Sequence, residues 1–137
     1  MKKPKVGING FGRIGRAIYR INHKRKMFDV VAINDINPDV NNLCYTLQYD
    51  TTYGRFSETI SNNKNQICVG ESITDVFHRE NITDVPWDDY GVDIVIDSSG
   101  IKKNLNLILE TNSSVKHFIV TNSPNDFSDI KTIIFGV

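Results

Sequence analysis

Apolar and polar positions follow two different periods along this chain, and the changes of period mark its elements. Lys5–Asn9 carries Val6 and Ile8 two residues apart and stops at Gly10, the signature of a short strand. In Arg13–Lys26, Ile14, Ile18 and Ile21 recur at i, i+4 and i+7, with Arg16, Arg20 and Lys24 opposite them. That spacing predicts an amphipathic helix buried through its isoleucines. Asp29–Asn34 is nearly all apolar from Val30 to Ile33, as expected of a parallel strand covered on both faces. The first forty residues thus predict one right-handed β-turn-α-β crossover.

Asn41–Gln48 predicts a short helix carrying Leu43 and Leu47. Three strand-like runs follow, Arg55–Ile60, Gln66–Val69 and Ser72–Phe77, with turn-forming Asn62-Asn63-Lys64-Asn65 and Gly70-Glu71 between them. They predict an antiparallel excursion whose last strand rejoins the main sheet. Asn81–Gly91, with Pro86 and Trp87, is polar and turn-rich. Val92–Asp97 predicts a buried strand, and Lys102–Asn112 a helix with Leu105, Ile108 and Leu109 on one face. Lys116–Thr121 and Lys131–Phe135 predict two further strands. The sum is an α/β fold of Rossmann type: a mostly parallel sheet with helices on both faces and an inserted antiparallel hairpin, one domain over residues 1–137.

Composition narrows the function classes. Sixteen Lys+Arg balance sixteen Asp+Glu, which argues against a dedicated nucleic-acid binder but leaves room for a local basic patch. No apolar run approaches the ~20 residues of a membrane span. The basic Met1–Lys5 segment runs straight into a glycine-rich one, with no apolar core of a signal peptide, and a cytoplasmic protein is expected. Cys44 and Cys68 match no metal or redox spacing, so no metal site is expected and both thiols are expected to pack as small hydrophobes.

The candidate chemistry lies in Gly10-Phe11-Gly12-Arg13-Ile14-Gly15, a G-x-G-x-x-G pattern between a strand and a helix. Gly10 would permit the tight turn, Gly12 would let the backbone approach a pyrophosphate, and Gly15 would let helix and strand pack closely. The helix N-terminus would offer N–H groups and partial positive charge to phosphates, and Arg13 a full charge. Asp35 lies twenty residues past Gly15, at the end of the second strand. A carboxylate there can accept hydrogen bonds from ribose hydroxyls and repel a 2′-phosphate, so NAD is expected over NADP. The bland alternatives are a plain β-α turn and a solvated loop acid. Ser98-Ser99-Gly100 opens a second β-α turn, either at the ligand edge of the sheet or as a simple N-cap. Thr121 carries the same two readings.

On these residues the chain resembles the glyceraldehyde-3-phosphate dehydrogenase family. The resemblance starts in Val6-Gly7-Ile8-Asn9-Gly10-Phe11-Gly12-Arg13-Ile14-Gly15-Arg16 and continues through Ala32-Ile33-Asn34-Asp35. It runs on through Tyr49-Asp50-Thr51-Thr52-Tyr53-Gly54-Arg55-Phe56, Pro86-Trp87, Gly91-Val92-Asp93 and Phe135-Gly136-Val137. It implies that Arg13 and Ile14 contact the cofactor pyrophosphate and that Asp35, beside Asn34, holds the adenosine ribose. Arg79 would lie beside the adenine. Ser98, Ser99 and Gly100 would stand near the nicotinamide-side ribose, where the family more often reads Ser-Thr-Gly, and Thr121 would contact the cofactor. Asn122-Ser123-Pro124 departs from the family's Ala-Pro.

The family's nucleophile lies in a Ser-Cys-Thr-Thr-Asn-Cys segment that this sequence does not contain. Its catalytic His, phosphate-binding residues and most subunit contacts belong to a second domain. Neither cysteine, and none of His23, His78 and His117, matches a catalytic position. The resemblance therefore implies the NAD-binding part of an enzyme that oxidises and phosphorylates glyceraldehyde 3-phosphate in glycolysis, with no catalytic residue in this chain and no activity by itself. Its partners would be NAD and, through the surface the second domain covers, a second copy or another protein. Two other readings are a stand-alone NAD-binding pseudoenzyme or interaction module, and a domain of a related aldose-phosphate dehydrogenase.

Overall fold

The computed structural model describes residues 2–122 and 131. The first crossover forms as the periodicity predicts: strand β1 (Lys5–Asn9), helix α1 (Arg13–Arg25) and strand β2 (Asp29–Asn34). Helix α2 (Val40–Gln48) is capped by Asp39, whose carboxylate accepts from Asn42 N. Then come β3 (Tyr49–Asp50), β4 (Gly54–Arg55), β5 (Ile60–Asn62), β6 (Gln66–Val69) and β7 (Ser72–Phe77). Two short 3-10 turns, Ile82–Asp84 and Trp87–Tyr90, lead to β8 (Ile94–Asp97), α3 (Lys103–Glu110) and β9 (His117–Val120). The strand expected over Lys131–Phe135 lies outside the described residues apart from Lys131 itself. Among the described residues no helix is long and apolar enough to cross a membrane.

Seven strands form one sheet in the order β5-β6-β7-β2-β1-β8-β9. β7, β2, β1, β8 and β9 run parallel, and β5 and β6 are the antiparallel excursion that β7 closes by pairing with β2. One face buries Val6, Ile8 and Ile33 against Tyr19 of α1 and Leu43 and Leu47 of α2. The other buries Ala32 and Val95 against Trp87, Ile82 and the Leu107–Ile108 side of α3. A Cβ on Gly7 would fall inside the Trp87 ring, so the indole lies directly on the β1 backbone, its N–H donated to Ile82 O at 2.9 Å.

Three elements differ from the periodic reading. The buried residues of α1 are Gly15, Tyr19 and Asn22, whereas Ile14 and Ile21 are half exposed. The helix is turned by one residue because a Cβ on Gly15 would strike Gly10 O, so only glycine lets that face approach β1. The Arg55–Ile60 run divides. Phe56 drops into the core, and the Gln48 amide holds its carbonyl, Glu58 O and Ile60 N, so the chain pairs first with β3 and later with β6. In α3 Leu105 is buried but Leu109 is exposed, and Asn104 takes the innermost place.

Gly7→Ala forces the Trp87 ring off β1 and is expected to cost about 1–3 kcal/mol, read as a lower urea midpoint. Asp93 gives a pH test. Its carboxyl lies below its ordinary 3.8 because it accepts from Lys5 N, with Lys116 also beside it. That depression adds stability above the unfolded value, lost as pH falls through the lower folded one. Asp93→Asn should therefore lower stability at neutral pH, leave it little changed below the folded value, and so flatten the acid limb of the stability–pH curve.

Candidate functional site

The carboxyl ends of β2, β1 and β8 converge on two β-α turns packed backbone to backbone. Gly10 has φ +91°, and a Cβ there would lie 2.6 Å from Ser99 Cα, so only glycine fits both the angle and the approach. Ser98 ties the turns together by donating its hydroxyl to Gly10 O at 2.6 Å. A Cβ on Gly12 would meet nothing within 4 Å and would project into open space over the start of α1. Gly12 caps α1 with no side-chain bond and the first turn holds no acid, so among the described residues no side chain occupies the leading N–H groups.

Asp35 stands opposite this turn. One carboxylate oxygen accepts from Phe11 N at 2.7 Å and the other from Asn37 N at 2.9 Å. A carboxylate offers about four lone-pair positions, so each oxygen keeps acceptor capacity toward the cleft. A cleft of about 170 Å³ lies between these groups, lined by Gly10, Gly12, Asp35, Arg79, Ser98 and Ser99 among others.

A chain of buried hydrogen bonds runs beneath the cleft. Arg79 N donates to Asn34 Oδ1 at 2.7 Å, and Asn34 Nδ2 donates to Asn9 Oδ1 at 2.7 Å and to Arg79 O at 3.0 Å. Asn9 Nδ2 donates to Asp97 Oδ1 at 3.0 Å. Asp97, fully buried, also accepts from Ser99 N, Ser99 Oγ and Asn104 Nδ2. The chain crosses from β7 through β2 and β1 to β8.

The expected site residues thus fall into three groups. Gly10, Gly12, Asn34, Asp35, Arg79, Ser98 and Ser99 line the cleft, with the Asn34 amide wholly engaged inside the protein. Phe11 is buried under the turn, Gly15 is buried against Gly10, and Arg13, Ile14 and Gly100 are exposed around the rim. Thr121 stands apart at the end of β9, where its hydroxyl and N–H both donate to Asp97 O. Sequence reasoning missed Asn9, Ile36, Glu80 and Ile101 in the lining, and Asp97 and Asn104 beneath it. One signal was present: the apolar strands β1, β2 and β8 each finish on Asn or Asp.

The histidines and cysteines form no second constellation. His78 Nδ1 donates to Asp35 O at 2.9 Å, and His23 meets Glu58 at 3.3 Å. Cys44 is buried, and desolvation pushes its thiol up to about 11. Ile67 and Val69 of β6 face Cys44 in the core, so Cys68, between them, points to the other side of the sheet. Among the described residues no cluster of His, Cys, Asp or Glu could hold a metal ion.

Comparison with known proteins agrees with this geometry. Residues 4–105 match the sequence profile described as "Glyceraldehyde 3-phosphate dehydrogenase, NAD binding domain". A glyceraldehyde-3-phosphate dehydrogenase 1 of Bacillus cereus is 38% identical over 134 residues, 97% of this chain and 39% of the relative. The protein of that name from Kluyveromyces lactis is 43% identical over 101 residues, 74% of this chain and 31% of the relative. The chain therefore spans about two fifths of the first relative's length and less of the second.

Asn34→Leu strips partners from Arg79 N and from Asn9 Oδ1 at a buried position. It is expected to destabilise the fold by about 3 kcal/mol, measured by urea unfolding.

Proposed function

The chain belongs to the glyceraldehyde 3-phosphate dehydrogenase family as its NAD-binding domain, and from that premise we propose that it seats NAD for the phosphorylating oxidation of glyceraldehyde 3-phosphate. The observation that carries the reading is one cleft joining the start of α1, which no side chain caps, to the Asp35 carboxylate. The cleft suits NAD: Gly12 leaves open space where phosphates need close backbone approach, and Asp35 keeps acceptor capacity for ribose hydroxyls.

In this reading the N–H groups of Arg13 and Ile14 hold the pyrophosphate, with the Arg13 guanidinium adding charge. Asp35 accepts from the adenosine ribose and, as an anion, opposes a 2′-phosphate. The Asn34 amide fixes the Arg79 backbone, and Arg79 stands at the adenine end. Ser98, Ser99 and Gly100 face the nicotinamide-side ribose, and Thr121 steadies the end of β8 beside them. Bound NAD supplies a hydride acceptor. The chain's share is to bind and orient it. Cys44 is no candidate nucleophile, because its thiol is buried and desolvation pushes it up to about 11.

Calorimetric titration of the 137-residue chain should show NAD binding more tightly than NADP, and Asp35→Ala should weaken NAD by about tenfold or more. Equal affinity of the unaltered chain for the two cofactors would overturn the role given to Asp35. In the same preparation, NADH formation from glyceraldehyde 3-phosphate and phosphate should be undetectable by absorbance.

A further inference from the structure

The cleft crosses the strand ends in the order β7, β2, β1, β8. Asp35 and Arg79 stand on its β7–β2 side, and the glycine turn follows β1. A dinucleotide held by its adenosine ribose at Asp35 and its pyrophosphate at α1 would therefore lay its second half over the end of β8. There the lining consists of Ser98, Ser99 and Ile101.

Neither hydroxyl in that turn has a free proton. A hydroxyl carries one proton and two lone pairs. Ser98 donates to Gly10 O at 2.6 Å. Ser99 donates to Asp97 Oδ1 at 2.7 Å and accepts from Ile101 N at 3.2 Å and from Asn104 Nδ2 at 3.0 Å. The Ser99 hydroxyl is thus saturated inside the protein, with neither proton nor lone pair left for a ligand. Its own backbone N–H also goes inward, to Asp97 Oδ1 at 3.2 Å.

Asn104, the second residue of α3, holds this arrangement from below. Its side chain is wholly buried, a place an amide takes only with partners. Its amino group uses both protons, one on Ser99 Oγ and one on Asp97 Oδ2 at 3.3 Å. Its oxygen meets no partner among the described residues. What the fold needs from Asn104 is therefore its two donors, which tie the first turn of α3 to the end of β8. Asn9 and Ser99 both bond Asp97 through the other carboxylate oxygen, Oδ1. Asn104 acts on the β8 side of the cleft, and the ladder toward Arg79 leaves through the oxygen that Asn104 does not touch.

We propose that Asn104 is a positioning residue for the nicotinamide half of the cofactor seat. It fixes the Ser98–Ile101 turn through the Ser99 hydroxyl, and that hydroxyl holds the turn and not the ligand. The inference rests on the reading that this cleft seats NAD.

The test is calorimetric titration of the 137-residue chain and its variants with NAD, ADP-ribose and ADP. ADP has the adenosine and the pyrophosphate but lacks the second ribose, so it reports on the rest of the cleft. Asn104→Leu fills the same place without donors. It is expected to weaken NAD and ADP-ribose about fivefold and to change ADP less than about twofold. Ser99→Ala should give the same split, and Ser99→Thr, which keeps the hydroxyl, should recover most of it. The double variant should lose little more than either single one, because both remove one interaction. If Asn104→Leu does not fold, the milder Asn104→Ser should show the split at smaller size. Equal losses for all three ligands would mean a merely structural role. That result, unchanged NAD affinity in the Asn104 variants, or additive losses in the double variant would each overturn the inference and leave the seating of NAD intact. An unaltered chain that binds ADP but gains nothing from the second ribose would overturn it too, and one that binds none of the three would overturn the seating of NAD as well.

Discussion

The cofactor edge of this domain depends on a directed chain of buried hydrogen bonds that ends on Asp97. Three of its bonds point the same way, Arg79 N to Asn34, Asn34 to Asn9 and Asn9 to Asp97, while Asn34 also donates back to Arg79 O. Asp97 accepts at each of its contacts, and that sink fixes which way both amides face. The chain holds the ends of β2, β1 and β8 together where backbone pairing stops, and it sets the height of both β-α turns. Leucine at Asn9 or Asn34 would fill the volume and leave the turns untied. The buried polar residues are there for position, and their desolvation is offset only because each has partners.

Most of the parallel sheet was legible because strand and helix periods are local properties. β1, β2, β6 and β7 stand where the apolar runs place them. The face of α1 was not, because a periodic count ranks isoleucine above glycine. The approach of Gly15 to Gly10 O decides the rotation, and that contact belongs to the folded turn. The glycine turn and Asp35 were legible for a similar reason. Their spacing is short and their chemistry explicit. The ladder below them was not, since its bonds join residues 25, 45 and 88 apart. In the sequence, Asn9, Asn34 and Asp97 look like strand ends meeting solvent.

Charge is organised along the strand direction. α1 brings its positive end, with no acid in the first turn, to the cofactor cleft and its negative end, followed by basic residues, to the opposite edge. The basic last turn complements the helix dipole, and among the described residues no side chain occupies the leading N–H groups. A formal charge of zero conceals this separation, which arises only when the N-terminal lysines are folded beside the end of α1.

The contact between Gly7 and Trp87 also has an optical consequence. This is the chain's single tryptophan, almost wholly buried on the face of the sheet opposite α1, with its indole N–H engaged. Its emission is expected to be that of a dry, hydrogen-bonded indole and to follow the seam between β1 and the 3-10 turns. The α2 side, where Leu43, Phe56 and Val69 pack, contributes no indole of its own. Fluorescence therefore watches one face of the sheet, while circular dichroism averages over the backbone of both. Coincident transitions by the two would mean that both cores melt as a unit.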